Sequence, residues 1–504
     1  MYPLFAWFLF IPLFHYVSGK SLKETAVTSF LTGLLGNLLT YGWIGNFGAK
    51  VPGGFIVILF FLVPSLSAFM TVKVVSSEFL SQKFPRYKIF IYPSVWIIID
   101  FIQSIGFLAF PWTYIGYSQY PFTPFIQVVS VTGILGINFI MILFNIIMSE
   151  YLLNSGKTVK RIKDVTAGPY FNRVAVISLI IAIITVAGFV RLFISSGGGK
   201  RLKLSIIQSC ISPWENWSGN RFSYLSELKR YTKQSLASDP DLIVWSESAT
   251  LELISFRSLT GETDEFDRQL KEFVKENNKP LLTGEIGVTV KKMGRYAKYA
   301  PQNNAVLLDA AGEVVHTYPK INLVPFGEWF PYEKWFAPVK SLLESFGASE
   351  FVPGSRPELF TMQDMKFGAL ICYEGIFYGL CRKYRNMGAD FLVNITNDGW
   401  TDTYNGHYQH YSASVFRAIE NGIWMVRAGN TGVTAIIDPK GRVTGTIPIL
   451  RKGYLSGEID TALNVETFYS KYGDIILYLS LLFIAMIISK MIYDRFFAIS
   501  RDNI

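Results

Sequence analysis

Apolar residues are unevenly spread along this chain. They concentrate in residues 1–195 and again near 473–493, while the stretch between reads as an ordinary globular sequence. A helix needs about 20 mostly apolar residues to cross a bilayer. The pattern predicts spans near 3–17, 24–44, 54–75, 88–107, 124–153, 174–195 and 473–493. The first is short, but no basic residue precedes it and no small-residue cleavage site follows, which argues against a removable signal peptide. The 124–153 stretch is long enough to tilt or to begin at the interface. In 196–472 the period changes. Short β-rich runs recur at 204–208, 242–245, 280–283, 305–308, 368–372, 391–395, 424–427 and 433–437. Several are near-continuously apolar, as strands buried on both faces are. Helical stretches lie between them at 222–236, 264–276 and 408–421, the last stopped by Gly422. Residues 309–312 and 438–441 carry hairpin-turn chemistry. This alternation predicts layered α/β structure, with helices covering sheets. The expected organisation is a transmembrane bundle of about six spans over 1–195, a globular domain over 196–472, and a C-terminal transmembrane helix with its tail over 473–504.

Composition supports that division. A mean hydropathy of +0.30 over 504 residues is too high for a chain of soluble domains alone. The net charge of +9 does not point to nucleic acid, because Lys and Arg flank the apolar segments and form no stripe interleaved with aromatics. Their placement sets sidedness instead. Lys20 and Lys23 follow the first span. Loop 73–88 carries Lys73, Lys83, Arg86 and Lys88, and loop 154–173 carries Lys157, Lys160, Arg161, Lys163 and Arg173. The C-terminal tail carries Lys490, Arg495 and Arg501. The positive-inside rule puts all four groups in the cytoplasm, and the N-terminus and segment 196–472 outside. The aromatic loop from Phe110 to Tyr120 reads either as an interfacial belt or as a substrate-entry rim. Asp100 lies inside a span, as a functional carboxylate or as a buried structural partner.

The three cysteines, Cys210, Cys372 and Cys381, form no disulfide framework, and four histidines restrict the available chemistry. Three element ends carry candidate groups. Cys372 ends the apolar run Phe367-Gly368-Ala369-Leu370-Ile371, where a following helix N-terminus would favour the thiolate. Glu247 ends another apolar run, 241–246, and can take a proton from a thiol or hand one to a leaving group. Lys320 lies in an apolar segment that ends at Glu328, and a fixed ammonium stabilises an oxyanion. Each group alone reads as readily as a buried thiol, a solvated strand-end carboxylate or a surface lysine. Together they form a nucleophile, an acid/base and an oxyanion stabiliser, a complete acyl-transfer set that needs no cofactor or metal. His407 and His410, three residues apart, lack a metal-site pattern.

Glu247, Lys320 and Cys372, in that chain order, resemble the Glu-Lys-Cys triad of the nitrilase superfamily. Within it the chain is similar to the apolipoprotein N-acyltransferases, over nearly its whole length. Val324-Pro325-Phe326-Gly327-Glu328 after Lys320 is the most specific motif. Ile371-Cys372-Tyr373-Glu374, Thr396-Asn397-Asp398-Gly399-Trp400, Arg417-Ala418-Ile419-Glu420-Asn421-Gly422 and Arg427-Ala428-Gly429-Asn430-Thr431-Gly432 support it, with Phe110-Pro111-Trp112 and Gly116-Tyr117-Ser118-Gln119 in the membrane part. The resemblance implies an α-β-β-α sandwich for the outer, catalytic domain. It implies a Cys372 thioester loaded from a phospholipid, typically phosphatidylethanolamine. The acyl group would then pass to the α-amino group of the diacylglyceryl-cysteine of an apolipoprotein, at the outer face of a bacterial cytoplasmic (inner) membrane. Glu247 would be the general base and acid, Lys320 would hold the oxyanion, Glu328 would be a second carboxylate, and Trp217, Tyr373 and Glu374 would line the site. The family pattern has eight spans where seven are read here, the first being the one unmatched. Ser246 stands where the family has proline, and Ser209-Cys210 where it has Gly-Asn. Six spans ahead of the domain favour a lipid substrate over hydrolysis of small amides. The complete triad argues against a non-catalytic scaffold.

Overall fold

The computed structural model describes residues 3–46, 58–106, 109–155, 169–194, 199–293, 296–329, 350–400 and 403–501. Lys157, Lys160, Arg161 and Lys163, and the start of the 54–75 span, lie outside the described residues. The chain divides into two compact units. One holds Met1–Gly45, Phe55–Phe193 and Tyr472–Ile504, and the other holds Asn46–Gly54 and Ile194–Lys471.

The first unit is helical. Among the described residues, four helices are long and apolar enough to cross a membrane: Leu59–Lys83, Val129–Asn154, Pro169–Phe193 and Ile475–Phe496. Leu22–Tyr41, Lys88–Gln103 and the short apolar Pro3–Val17 are also helical, so the described residues of each predicted span fall largely on helix. Leu179, Ile183 and Val186 are exposed along Pro169–Phe193, an apolar face suited to lipid, and the chain is a membrane protein. Gly133, at φ +64°, breaks the helical backbone inside the predicted 124–153 span.

One expectation changes here. Lys73 is not a loop residue. It sits within Val63–Lys83, buried, with Nζ 2.5 Å from Asp100 Oδ1 and over the Trp96 ring at 5.1 Å. A hydropathy window ends at the first charge it meets, whereas the helix continues once that charge is paired. Asp100 also accepts from Asn138 Nδ2 at 2.8 Å, and Asn138 Oδ1 accepts from Gly116 N at 2.9 Å. Asp100 is thus a structural partner joining three helices to the 110–120 loop. Within that loop Trp112, Tyr114 and Tyr117 are buried, and the Tyr114 hydroxyl donates to the Asp100 carbonyl at 3.0 Å.

The second unit contains two six-stranded sheets. The strands are β1 (Arg201–Gln208), β2 (Leu242–Val244), β3 (Leu281–Met293), β4 (Tyr296–Leu308), β5 (Val314–Pro319), β6 (Leu359–Met362), β7 (Met365–Ile371), β8 (Phe391–Thr396), β9 (Trp424–Gly429), β10 (Thr434–Ile437), β11 (Val443–Ile447) and β12 (Gly453–Asp460). Their orders are β12-β1-β2-β3-β4-β5 and β11-β10-β9-β8-β7-β6. Each sheet has a parallel centre, β1-β2-β3 or β7-β8-β9, flanked by antiparallel strands. All eight predicted strands are present. β5, β6, β11 and β12 were not predicted, because they lie towards the sheet edges with mixed burial and lack the apolar runs of the centre. Helices Trp217–Ser235, Ile254–Thr260 and Glu265–Asn277 pack on the first sheet. Leu225, Leu228, Ile254, Phe266 and Leu270 close over Ile207, Trp245, Leu281 and Val306. The unit is a nitrilase-like α-β-β-α sandwich.

Asp100→Ala would leave the buried Lys73 ammonium unpaired. The expected cost is about 3–5 kcal/mol, read as a lower thermal midpoint in detergent. An unchanged midpoint would mean that Lys73 does not depend on this carboxylate.

Candidate active site

In open sheets with parallel strands, functional groups gather beyond the carboxyl ends of those strands. Three of the groups here do so. Glu247 follows β2 by three residues, Cys372 directly follows β7, and Asp398 follows β8 by two. The approach of Glu247 needs a glycine opposite it. A Cβ on Gly284 of β3 would fall 2.4 Å from Ser248 N and 2.8 Å from the Glu247 Cα. Cys372 takes φ +50°, the left-handed region, which costs a non-glycine residue on the order of 1–3 kcal/mol. Residues 372–376 then form a 3₁₀ turn rather than the start of a long helix.

Lys320 is buried between two carboxylates. Its Nζ lies 2.8 Å from Glu328 Oε1 and 3.5 Å from Glu247 Oε1. Asn303 Nδ2, from β4, donates to both, at 2.8 Å to Glu247 Oε1 and 3.0 Å to Glu328 Oε1. The remaining Glu247 oxygen accepts from Asn397 N at 2.7 Å, and Glu328 Oε2 accepts from Val324 N at 2.8 Å. Burial alone would lower the Lys320 ammonium, but Glu328 and Glu247 outweigh it and hold the group above the ordinary lysine range. Burial raises Glu247 against the pull of Lys320, with Glu328 adding to the rise. Burial also pushes the Cys372 thiol well up, Glu247 adding and Lys320 opposing. Cys372 is therefore at rest a thiol, not the thiolate expected from a helix terminus, and a base would have to take its proton before the sulfur could react.

Glu374 is a strut. Its Oε1 accepts from Ile321 N at 2.7 Å, Tyr318 OH at 2.9 Å and Asn322 N at 3.1 Å, and its Oε2 accepts from Ile371 N at 2.8 Å. It ties the Lys320 segment to the end of β7, and burial pushes it up to about 6 despite those donors. Tyr373 is buried, edge-on to Phe377. Trp217 is the first residue of helix Trp217–Ser235. Its indole N–H donates to Glu252 Oε1 at 3.0 Å, and its ring packs on Tyr224 and Phe266.

Sequence reasoning passed over Asn303, Asn394 and the role of His410. His410 Nδ1 lies 2.7 Å from Asp398 Oδ1, and Arg427 Nη2 lies 2.8 Å from Asp398 Oδ2. The available signal was the pair of polar motifs at 396–400 and 427–432, unusual in otherwise apolar strand ends. One ligand atom each of Cys372, Asp398 and His410 falls within 4.8 Å of the others. Asp398 bonds to His410 and to Arg427, whose charge opposes a cation there. Glu252, Asp264 and Asp267 form a second acidic group, bridged by Arg221 and Arg257.

A thiol, a lysine and paired carboxylates at the strand ends of a two-sheet α/β unit define a carbon-nitrogen hydrolase, and residues 203–467 match that family. Residues 1–147 match the apolipoprotein N-acyltransferase N-terminal domain. The apolipoprotein N-acyltransferase of Geobacter metallireducens is 30% identical over 486 residues, covering 93% of this chain and 87% of its own. Apolipoprotein N-acyltransferase 1 of Treponema denticola is 28% identical, with 97% and 93% covered, and the Borreliella burgdorferi relative is 27% identical, with 94% and 88% covered. The chain belongs to the apolipoprotein N-acyltransferase family.

Because Glu374 is raised in the folded state above an ordinary glutamate, its contribution to stability is full at low pH and is lost as pH rises through about 6. Glu374→Gln removes that titration. The stability of the wild type relative to the variant should fall on the order of 2 kcal/mol between pH 4 and pH 7, measured by denaturation at both values. A difference that does not move with pH would remove the strained carboxylate.

Proposed function

We propose that the protein N-acylates apolipoproteins by a two-step exchange on Cys372. The observation that carries this reading is the buried Lys320 ammonium held between Glu247 and Glu328. In the first step Glu247 takes the thiol proton as sulfur attacks an ester carbonyl of a phospholipid. The tetrahedral oxyanion forms against Lys320, whose charge stays fixed because two carboxylates hold it above the ordinary range. Collapse breaks the ester C–O bond, and Glu247 returns the proton to the departing lysophospholipid oxygen, leaving a thioester. In the second step an amine attacks the thioester carbonyl, Glu247 takes the amine proton, and the thiolate leaves and is reprotonated. Glu247 suits both steps because burial moves it towards the groups it exchanges protons with. Glu328 and Asn303 keep the lysine aimed, and Glu374 keeps the lysine segment and the nucleophile in register.

The acyl donor in this reading is a phospholipid such as phosphatidylethanolamine. The acceptor is the α-amino group of an N-terminal diacylglyceryl-cysteine. The names of the relatives support an apolipoprotein acceptor, and the apolar helices support a lipid donor. The protein would reside in the bacterial cytoplasmic membrane with its catalytic unit on the outer face. Basic residues Lys20, Lys23, Lys83, Arg86, Lys490 and Arg495 support that sidedness.

After incubation with a phospholipid of defined acyl chains, intact mass should show one acyl adduct that maps to Cys372, is released by hydroxylamine, and transfers to a diacylglyceryl-cysteine peptide. Cys372→Ser should fold and show no thioester adduct; a hydroxylamine-labile adduct retained in that variant would rule out Cys372 as the carrier. Lys320→Met should lose about 10²–10³ in kcat with little change in lipid KM. A defect confined to KM would contradict the oxyanion role.

A further inference from the structure

Two motifs, at 396–400 and 427–432, and His410 take no part in the proton and acyl transfers above. His410 and Asn394 of β8 converge on one atom, the carbonyl oxygen of Cys372, and the two motifs supply the residues behind them. His410 Nε2 lies 3.1 Å from it and Asn394 Nδ2 lies 3.2 Å from it. A carbonyl oxygen only accepts, so both groups act as donors there, His410 as the imidazolium or as its Nε2–H tautomer. Both donors are held by a single guanidinium. Arg427 Nη1 donates to Asn394 Oδ1 at 2.7 Å. Its Nη2 donates to Asp398 Oδ2 at 2.8 Å, and the other Asp398 oxygen meets His410 Nδ1 at 2.7 Å. Arg427, Asn394, Asp398 and His410 are all buried, so none of these bonds competes with bulk water. Gly432 makes room for the arrangement, since a Cβ there would fall 2.0 Å from Asp398 Oδ2.

We propose that His410 and Asn394, aligned by Arg427 and Asp398, are positioning residues that clamp the Cys372 carbonyl and hold the nucleophile in its left-handed conformation. The need for a clamp follows from the backbone. Cys372 is at φ +50°, a conformation that a side-chain-bearing residue keeps only when its surroundings over-determine it. Two donors from different elements, β8 and helix Tyr404–Asn421, supply that constraint. Because the peptide group is planar, fixing the carbonyl oxygen also fixes the direction of the Tyr373 N–H. The fork of Arg427 aligns two partners at once, which a lysine cannot do. Released from the clamp, the sulfur would drift from Glu247 and Lys320, and misplacement of about 1 Å can cost 10²-fold in rate.

The inference rests on Cys372 being the nucleophile proposed above, and its test separates the two. His410→Gln keeps an N–H donor near the position of Nε2. His410→Met has similar length and no donor. For each full-length variant in detergent, intact mass follows acyl loading from a defined phospholipid, and peptide mapping follows alkylation of Cys372 by iodoacetamide. His410→Met should load about 100-fold more slowly at saturating lipid, with the half-saturating lipid concentration unchanged. His410→Gln should stay within about tenfold of wild type, and alkylation should follow the same order. Loading by His410→Met within threefold of wild type, or by His410→Gln as slow as His410→Met, would overturn the clamp. If wild type forms no acyl adduct, the acyl-transfer reading fails, and alkylation alone judges the clamp: equal rates in the two variants overturn it, and a tenfold gap supports it. If His410→Met does not fold, Asn394→Asp, isosteric and without the donor, takes its place with the same two outcomes.

Discussion

A lysine ammonium cannot stay buried and charged without anions beside it, and the site is organised around that requirement. Lys320 is 1% exposed. Its neutralisation draws Glu247 from the end of β2 and Glu328 from the loop after β5 to one point, with Asn303 of β4 shared between them. Two carboxylates around one cation leave an excess of negative charge, which burial makes costly. Burial raises the proton affinity of Glu247 against the pull of Lys320, and Glu328 adds to the rise, so the arrangement that holds the lysine charged also leaves Glu247 a readier proton acceptor.

Burial keeps the Cys372 thiol protonated, so in the proposed exchange its competence depends on geometry more than on charge. Cys372 has a left-handed backbone, with Glu374 bonded to the amide before it and His410 and Asn394 at its carbonyl. Local strain of this kind persists only inside a well-satisfied polar network. Arg427, Asp398 and Asn394 form such a network among otherwise apolar strand ends.

In the helical unit the same rule applies to a different task. Lys73 and Asp100 satisfy each other where water is absent, and Asn138 extends the pair to the backbone of the 110–120 loop. Trp112, Tyr114 and Tyr117 of that loop are interior packing.

The chain's one-dimensional pattern determined the division into an apolar helical part and an α/β part, because both signals are local: runs of about 20 apolar residues, and short apolar strands alternating with amphipathic helices. It also made Glu247, Lys320 and Cys372 legible as candidates, because each stands at or near the end of a recognisable segment with a reactive side chain. Edge strands such as β6 and β12 were not legible, since their stability comes from ladders to neighbours rather than from their own composition. Nor was the pairing of Lys73 with Asp100, 27 positions apart, or the convergence of Asn303, Asp398, His410 and Arg427 on the triad. A polar residue in a sequence shows only that it needs a partner. Which partner it finds is decided when folding brings distant segments within hydrogen-bond distance and removes the water that would otherwise satisfy it.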